Sequence, residues 1–204
     1  MTLISHVILQ PYEGCKAVLL QTMIICNRAC DFISDYAWRK MIFGQYRLQG
    51  LIHRDVENKF GLAAQMVIRS VARVSRTYGL DRTTKHSFEP CSAIAYDDRL
   101  LSWFPAKDVV SIWTIDGRRK VPYLCGERQK QLLKTRQGET DLILYGGEYL
   151  LSTMCIVEDP DLFIPDFGRH TENENGVDDP DDLRKRARVL GKRRTTGSGK
   201  RSRL

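Results

Sequence analysis

The spacing of apolar residues changes its period along the chain. Residues 2–9 (TLISHVIL) are β-branched and apolar, the make-up of a strand, and Pro11 ends them. From Glu13 to Lys40, Val18, Thr22, Ile25, Ala29, Phe32 and Tyr36 recur at steps of three and four, with Lys16, Arg28, Asp31, Asp35 and Arg39 on the other side. That spacing predicts one long amphipathic helix. A second helix is predicted over 45–60, bracketed by Gly44 and Gly61, and a third over 62–78, stopped by Gly79.

After Asp81 the pattern turns to strands. In VVSIWTIDGRRKVPYL, Asp116-Gly117 stands between two β-rich runs and predicts a hairpin with a type I′ turn. In DLILYGGEYLLSTMCIV, Gly146-Gly147 plays the same part. Between the hairpins, 126–136 (GERQKQLLKTR) reads as a short helix, and shorter strands are expected near 87–88, 93–96 and 100–104. One strand, three helices, then a run of strands excludes the alternating units of a parallel sheet. The order predicts an α+β chain: a small β-barrel with a three-helix insertion after its first strand. The first barrel strand then lies in 1–10, the insertion in 11–82 and the remaining barrel in 83–165.

Composition refines this picture at the C-terminal end. The net charge is +7, but 183–204 hold ten Lys or Arg and no acid, whereas 169–182 are polar and acidic. Few apolar residues remain there to offset ordering entropy, so 166–204 are expected to be a disordered, acidic-then-basic tail. The longest apolar run, Ala17 to Cys26, is broken by Gln21 and Thr22. No membrane span is expected from it, nor does Met1 to Gln10 look like an export signal. The six cysteines form no CxxC pair, so reduced structural thiols are expected in a cytoplasmic protein.

The third helix carries the most suggestive chemistry. Arg69, Arg73 and Arg76 lie at i, i+4 and i+7, with Gln65 one turn before them. Arginine can hold phosphates and Gln can reach a base edge; a solvated charged helix face is the other reading of the same stripe. Further phosphate-contacting candidates are Arg82 and Lys85 in the linker 81–86, and Arg118, Arg119 and Lys120 in the first hairpin. Tyr46, Tyr78, Trp103, Trp113 and Tyr123 interleave as possible stacking partners, although Trp113 stands in an apolar strand and suits core packing better. Paired carboxylates for hydrolysis are not evident: Asp97 and Asp98 are adjacent and would point apart in a strand. The four histidines have no metal-ligand spacing, and no phosphate-binding glycine loop is present.

The run KFGLAAQMVIRSVARVSRTYG (59–79) resembles the TnpB (OrfB) family of insertion-sequence proteins. The resemblance continues through TKHSFEP, AIAYDDRLLSW, VSIWTIDGRRKVPYLCGERQKQLL and GETDLILYGGEYLLSTMCIVEDP, and covers roughly residues 2–165. It implies a wedge-type, oligonucleotide-binding-like barrel with an inserted helical recognition lobe. It also implies guide RNA and target DNA as partners, hence a nucleoid-associated location. Such proteins cut DNA with a RuvC-type domain that uses three carboxylates and Mg²⁺, and they carry a zinc ribbon with two CxxC pairs. Here Ile164-Pro165-Asp166-Phe167-Gly168 stands where the family's first RuvC strand ends in a G-[IV]-D-x-G pattern. Asp166 is thus a vestigial counterpart of the first catalytic carboxylate. The later carboxylates and both CxxC pairs are missing, so neither Mg²⁺ nor Zn²⁺ is expected in this chain. The expected function is that of a truncated, nuclease-less binder of guide RNA or DNA. A stand-alone regulator and a decayed fragment are the alternatives.

Overall fold

The computed structural model describes residues 1–157. Strand β1 (Thr2–Leu9) is followed by helices α1 (Glu13–Lys40), α2 (Gln45–Phe60) and α3 (Ala64–Leu80). Six more strands complete the fold: β2 (Ile94–Tyr96), β3 (Leu101–Phe104), β4 (Val109–Thr114), β5 (Gly117–Leu124), β6 (Arg136–Tyr145) and β7 (Glu148–Ile156). A short helix α4 (Glu127–Leu133) lies between β5 and β6. The expected α+β fold, a barrel with three helices inserted after its first strand, is the fold observed.

The strands form one antiparallel sheet in the order β2-β6-β7-β1-β5-β4-β3. Its end strands β2 and β3 are consecutive in sequence, so the turn at 97–100 brings the two edges together and nearly closes a barrel. Across that gap the Tyr96 hydroxyl donates to the Trp113 carbonyl at 3.0 Å, while the Trp113 amide extends the β3–β4 pairing by donating to the Leu100 carbonyl at 2.8 Å. Side chains alternate along each strand. Val7, Val110, Ile112, Val121, Leu142 and Leu151 fill the interior at 1% exposure or less. Strand β1 pairs with β5 only at Ile8 and Leu9. Helix α4 lies beside the rest of β1, its Gln129 amide donating to the His6 carbonyl at 2.6 Å.

Several local expectations shift for physical reasons. The second hairpin turns through Gly146 and Gly147, both with positive φ (60° and 86°), as a type I′ turn requires. The first hairpin does not: Thr114 pairs with Gly117, so the turn residues are Ile115 and Asp116, and Gly117 follows them at φ 87°. That arrangement is a turn closed by a left-handed glycine, not a type I′ turn. Residues 87–88 form no strand, because the Phe88 amide donates to the Asp31 carboxylate at 2.7 Å instead of to a ladder. Strand β6 starts at Arg136, inside the stretch expected to be helical, because a bulge between Gln137 and Thr140 lets this polar segment pair.

Helix α1 buries Thr22 and Ala29 of the expected stripe and a further set of residues beside them. Cys15, Leu19, Cys26, Cys30, Ile33 and Ala37 are buried, whereas Val18, Ile25, Phe32 and Tyr36 are half-buried. The helix is packed on more than one side, and its buried band is wide enough to include Thr22, Asn27 and Ser34. By length and composition α1 could cross a membrane, but half of its most apolar window is buried inside this fold. The cysteines are free thiols; burial pushes Cys30 up to about 11 and Cys26 further still. The tail expected beyond Phe167, and Asp166 with it, lies outside the described residues.

A buried polar network joins the helices to the barrel segment. The Asn27 amide nitrogen reaches the carbonyls of Met23, Pro90 and Ser92 at 2.9, 3.0 and 2.9 Å. Its side-chain oxygen accepts from Arg73 at 2.6 Å. Ser34 and Tyr78, both fully buried, share a hydroxyl bond at 2.9 Å, and Ser34 also donates to the His86 carbonyl at 2.6 Å. Replacing Asn27 strands two loop carbonyls and a guanidinium, each costly when buried. Asn27→Ala is therefore expected to destabilise the chain by about 2–4 kcal/mol in urea unfolding, against less than about 0.5 kcal/mol for the exposed Lys40→Ala.

Candidate nucleic-acid interface

Helix α3 is set by its apolar side. Val67, Val71, Val74 and Tyr78 are fully buried, and Tyr78 packs with Trp38, Phe43 and His86 at ring distances of 6.2, 4.6 and 4.8 Å. That fixes where the polar stripe goes: toward the barrel. At its start the Gln65 amide nitrogen donates to Asp97 in the β2–β3 turn, and its oxygen accepts from Arg99 at 3.3 Å. One turn on, Arg69 (17% exposed) pairs with Glu139 of β6. Arg76, 63% exposed, meets the same carboxylate at 3.3 Å. Arg73 runs deeper, donating to Asn27 and to the Ser92 hydroxyl at 2.9 Å, its guanidinium 4.9 Å from the centre of the Phe88 ring.

The seam continues onto the barrel. Arg118 donates to the Arg99 carbonyl, reaches the Ser111 carbonyl at 3.3 Å, and lies 5.5 Å from the Trp113 ring centre. Lys120, two residues along the same face of β5, is exposed and has no ion-pair partner among the described residues. Ser102, Ser111 and Lys120 align across β3, β4 and β5, and Trp113 aligns with Arg118. The result is a ridge of Arg76, Arg69, Gln65, Arg99, Arg118 and Lys120 crossing from α3 to β5, with Trp113 at its barrel end.

Other sequence-predicted candidates fall elsewhere. Arg119 is on the opposite face of β5 from Arg118, 3.6 Å from Asp116, with its buried Nε unpartnered. Arg82 folds back to donate to the Tyr78 carbonyl at 3.1 Å, and Lys85 pairs with Asp35 of α1 at 2.8 Å. Arg99 and the two acidic anchors, Asp97 and Glu139, escaped the sequence reading. Arg99 sits in a turn with no periodicity, and Glu139 in a polar run that reads as a linker.

The charge balance also needs correcting. Residues 1–157 hold 21 Lys or Arg and 15 Asp or Glu, so the barrel and its helices are basic themselves. The acids that offset them are concentrated between 158 and 182. Among the described residues no three His, Cys, Asp or Glu side chains come together as a metal site. Asp97 caps the amides of Arg99 and Leu100 at 3.1 and 3.2 Å, while Asp98 pairs with Arg136 at 2.8 Å, so the adjacent acids serve separate structural roles. The Mg²⁺ and Zn²⁺ implied by the family resemblance therefore find no ligand set in 1–157. A cavity of about 20 Å³ between Cys26, Arg69, Arg73 and Tyr96 has room for one water and no substrate.

Burial alone would push Glu139 up, but the Arg69 and Arg76 guanidiniums outweigh it and hold the carboxyl below its ordinary 4.5. Asp141, on the same face of β6, moves the other way through its own desolvation and the charge of Glu139. A carboxyl depressed in the folded state adds stability above its ordinary range and loses that contribution as pH falls through the depressed value. Between Glu139→Gln and the unaltered chain, the stability difference should therefore shrink as pH falls below 4.5. Thermal unfolding followed across pH checks this. No protein-family model matches the chain, and no curated protein sequence does.

Proposed function

We propose that this chain binds nucleic acid along the α3–β5 ridge, as the RNA- and DNA-gripping portion of a TnpB-type protein. The observation that carries the reading is the convergence of Arg76, Arg99, Arg118 and Lys120 on one seam from two separate parts of the fold. Arginines at such spacing suit successive phosphates, and Trp113 beside Arg118 offers a stacking surface for a base. The strand–helices–barrel order supports the family reading, since a wedge barrel with an inserted recognition lobe requires that order.

Within this proposal the ridge residues divide by role. Arg76, Arg118 and Lys120 are exposed and contact the phosphate backbone. Gln65, held by Asp97 and Arg99, is the candidate for a base edge. Arg73 positions the helix, and Arg69 holds it to the barrel through Glu139 in the unbound chain. Guide RNA and target DNA are the proposed partners. Binding is the proposed activity. The intramolecular bonds of Arg69 and Arg73 favour a second reading, in which the seam is only a clamp between helices and barrel.

The salt dependence of binding separates the two readings. Each phosphate contact contributes a log–log slope of about −0.9 on duplex DNA and about −0.7 on single strands. The triple variant Arg76→Ala, Arg118→Ala, Lys120→Ala should flatten the slope by about two to three contacts' worth, measured by fluorescence anisotropy on labelled oligonucleotides. If removing residues 183–204 abolishes the slope and the triple variant leaves it unchanged, the ridge is a clamp and the binding belongs to the tail.

A further inference from the structure

Two arginines one stripe apart on α3 converge on a single carboxylate. Glu139 pairs with Arg69, and both of its oxygens lie within reach of Arg76, at 3.3 and 3.4 Å. That is the arrangement a phosphate takes between arginines, with several oxygens shared by planar guanidiniums. The carboxylate comes from an irregular piece of backbone. Gly138 has φ 75°, and neither Gly138 nor Glu139 has a register partner on β7, because the bulge spans Gln137 to Thr140. Glu139 is 35% exposed, so solvent reaches it. Arg76 is mostly in solvent, where an ion pair is weak and exchangeable.

We propose that Glu139 is an intramolecular stand-in for phosphate, which occupies Arg69 and Arg76 until a nucleic-acid strand displaces it. The inference rests on the nucleic-acid reading of the ridge and adds a threshold to it. A lone anion offers one charge against the tethered carboxylate and does not compete. A strand already held at Arg118 and Lys120 presents its next phosphates at high local concentration, and these take the arginines. Asp141, on the same face of β6, also feels the field of Arg69, Arg73 and Arg76 and stays in place, so displacement of Glu139 does not leave the three arginines unopposed.

The test uses the full chain and a fluorescein-labelled mixed-sequence single-stranded oligonucleotide of about 30 nucleotides, long enough to span an oligonucleotide-binding surface. Glu139→Gln keeps the size and polarity of the side chain and removes its charge. It should tighten binding about two- to fivefold at moderate salt, because the strand no longer competes with the carboxylate, and steepen the log–log salt slope, because no displaced carboxylate takes up cations on binding. Adding Arg76→Ala to Glu139→Gln should cancel the gain. Glu139→Asp, which shortens the reach and keeps the charge, should give a smaller gain and serves if the Gln variant fails to fold. A variant that folds, binds as the unaltered chain does and keeps its slope overturns the stand-in role while leaving the nucleic-acid reading intact. Absence of salt-dependent binding in both the unaltered chain and the variants overturns both.

Discussion

Everything on the helical side of this molecule hangs on a buried carboxamide. Asn27 lies in the middle of α1 with no exposure to solvent, and it holds the carbonyls of Pro90 and Ser92 on one side and the Arg73 guanidinium on the other. The three helices add no strand to the barrel, so no ladder of backbone bonds attaches them. Apolar packing supplies most of the contact but little direction. The polar network supplies the direction, since a buried amide or guanidinium is tolerated only where its partners are in place. Together with the buried side of α3 it fixes that helix's rotation, and with it the line along which Gln65, Arg69 and Arg76 meet the barrel.

That rotation explains why the arginine stripe behaves differently along its length. Arg73 is consumed by the network, Arg69 is mostly covered at the seam, and Arg76 remains largely in solvent. The barrel contributes the other half of the ridge. Strand β5 alternates, so Arg118 and Lys120 face outward while Arg119 faces the opposite way. A run of three basic residues thus delivers two to one face and the third to a partly exposed pair with Asp116 on the other. The ridge is therefore the joint product of helix period and strand period, placed against each other by the Asn27 network.

The sequence revealed the period changes and little of what faces what. The strand over 2–9, the helices over 13–40 and 45–60 and the Gly146-Gly147 turn were legible because their signals are local. The apolar side of α3 was legible too, since Val67, Val71, Val74 and Tyr78 recur at helical spacing and are the residues it buries. The start of β6 was not, because Gln137 and Glu139 are polar and a bulge leaves Gly138 and Glu139 without partners on β7. Nor was the non-strand at 87–88, whose amide is taken by Asp31 from a distant helix. The site was half legible for the same reason. Spacing of i, i+4 and i+7 places three arginines on one face, but Glu139 stands 63 residues from Arg76, and nothing local connects them. Arg99 carries no periodic signal at all.

Nucleic acid is proposed to lie on the seam between α3 and β5. Ultraviolet cross-linking of a bound oligonucleotide, followed by mass-spectrometric mapping of the attached peptides, tests this directly. Cross-links are expected in the β4–β5 hairpin, at Trp113 above all, and in the peptide that carries Arg76. Cross-links confined to residues 183–204, with the hairpin and α3 unmarked, would contradict that placement.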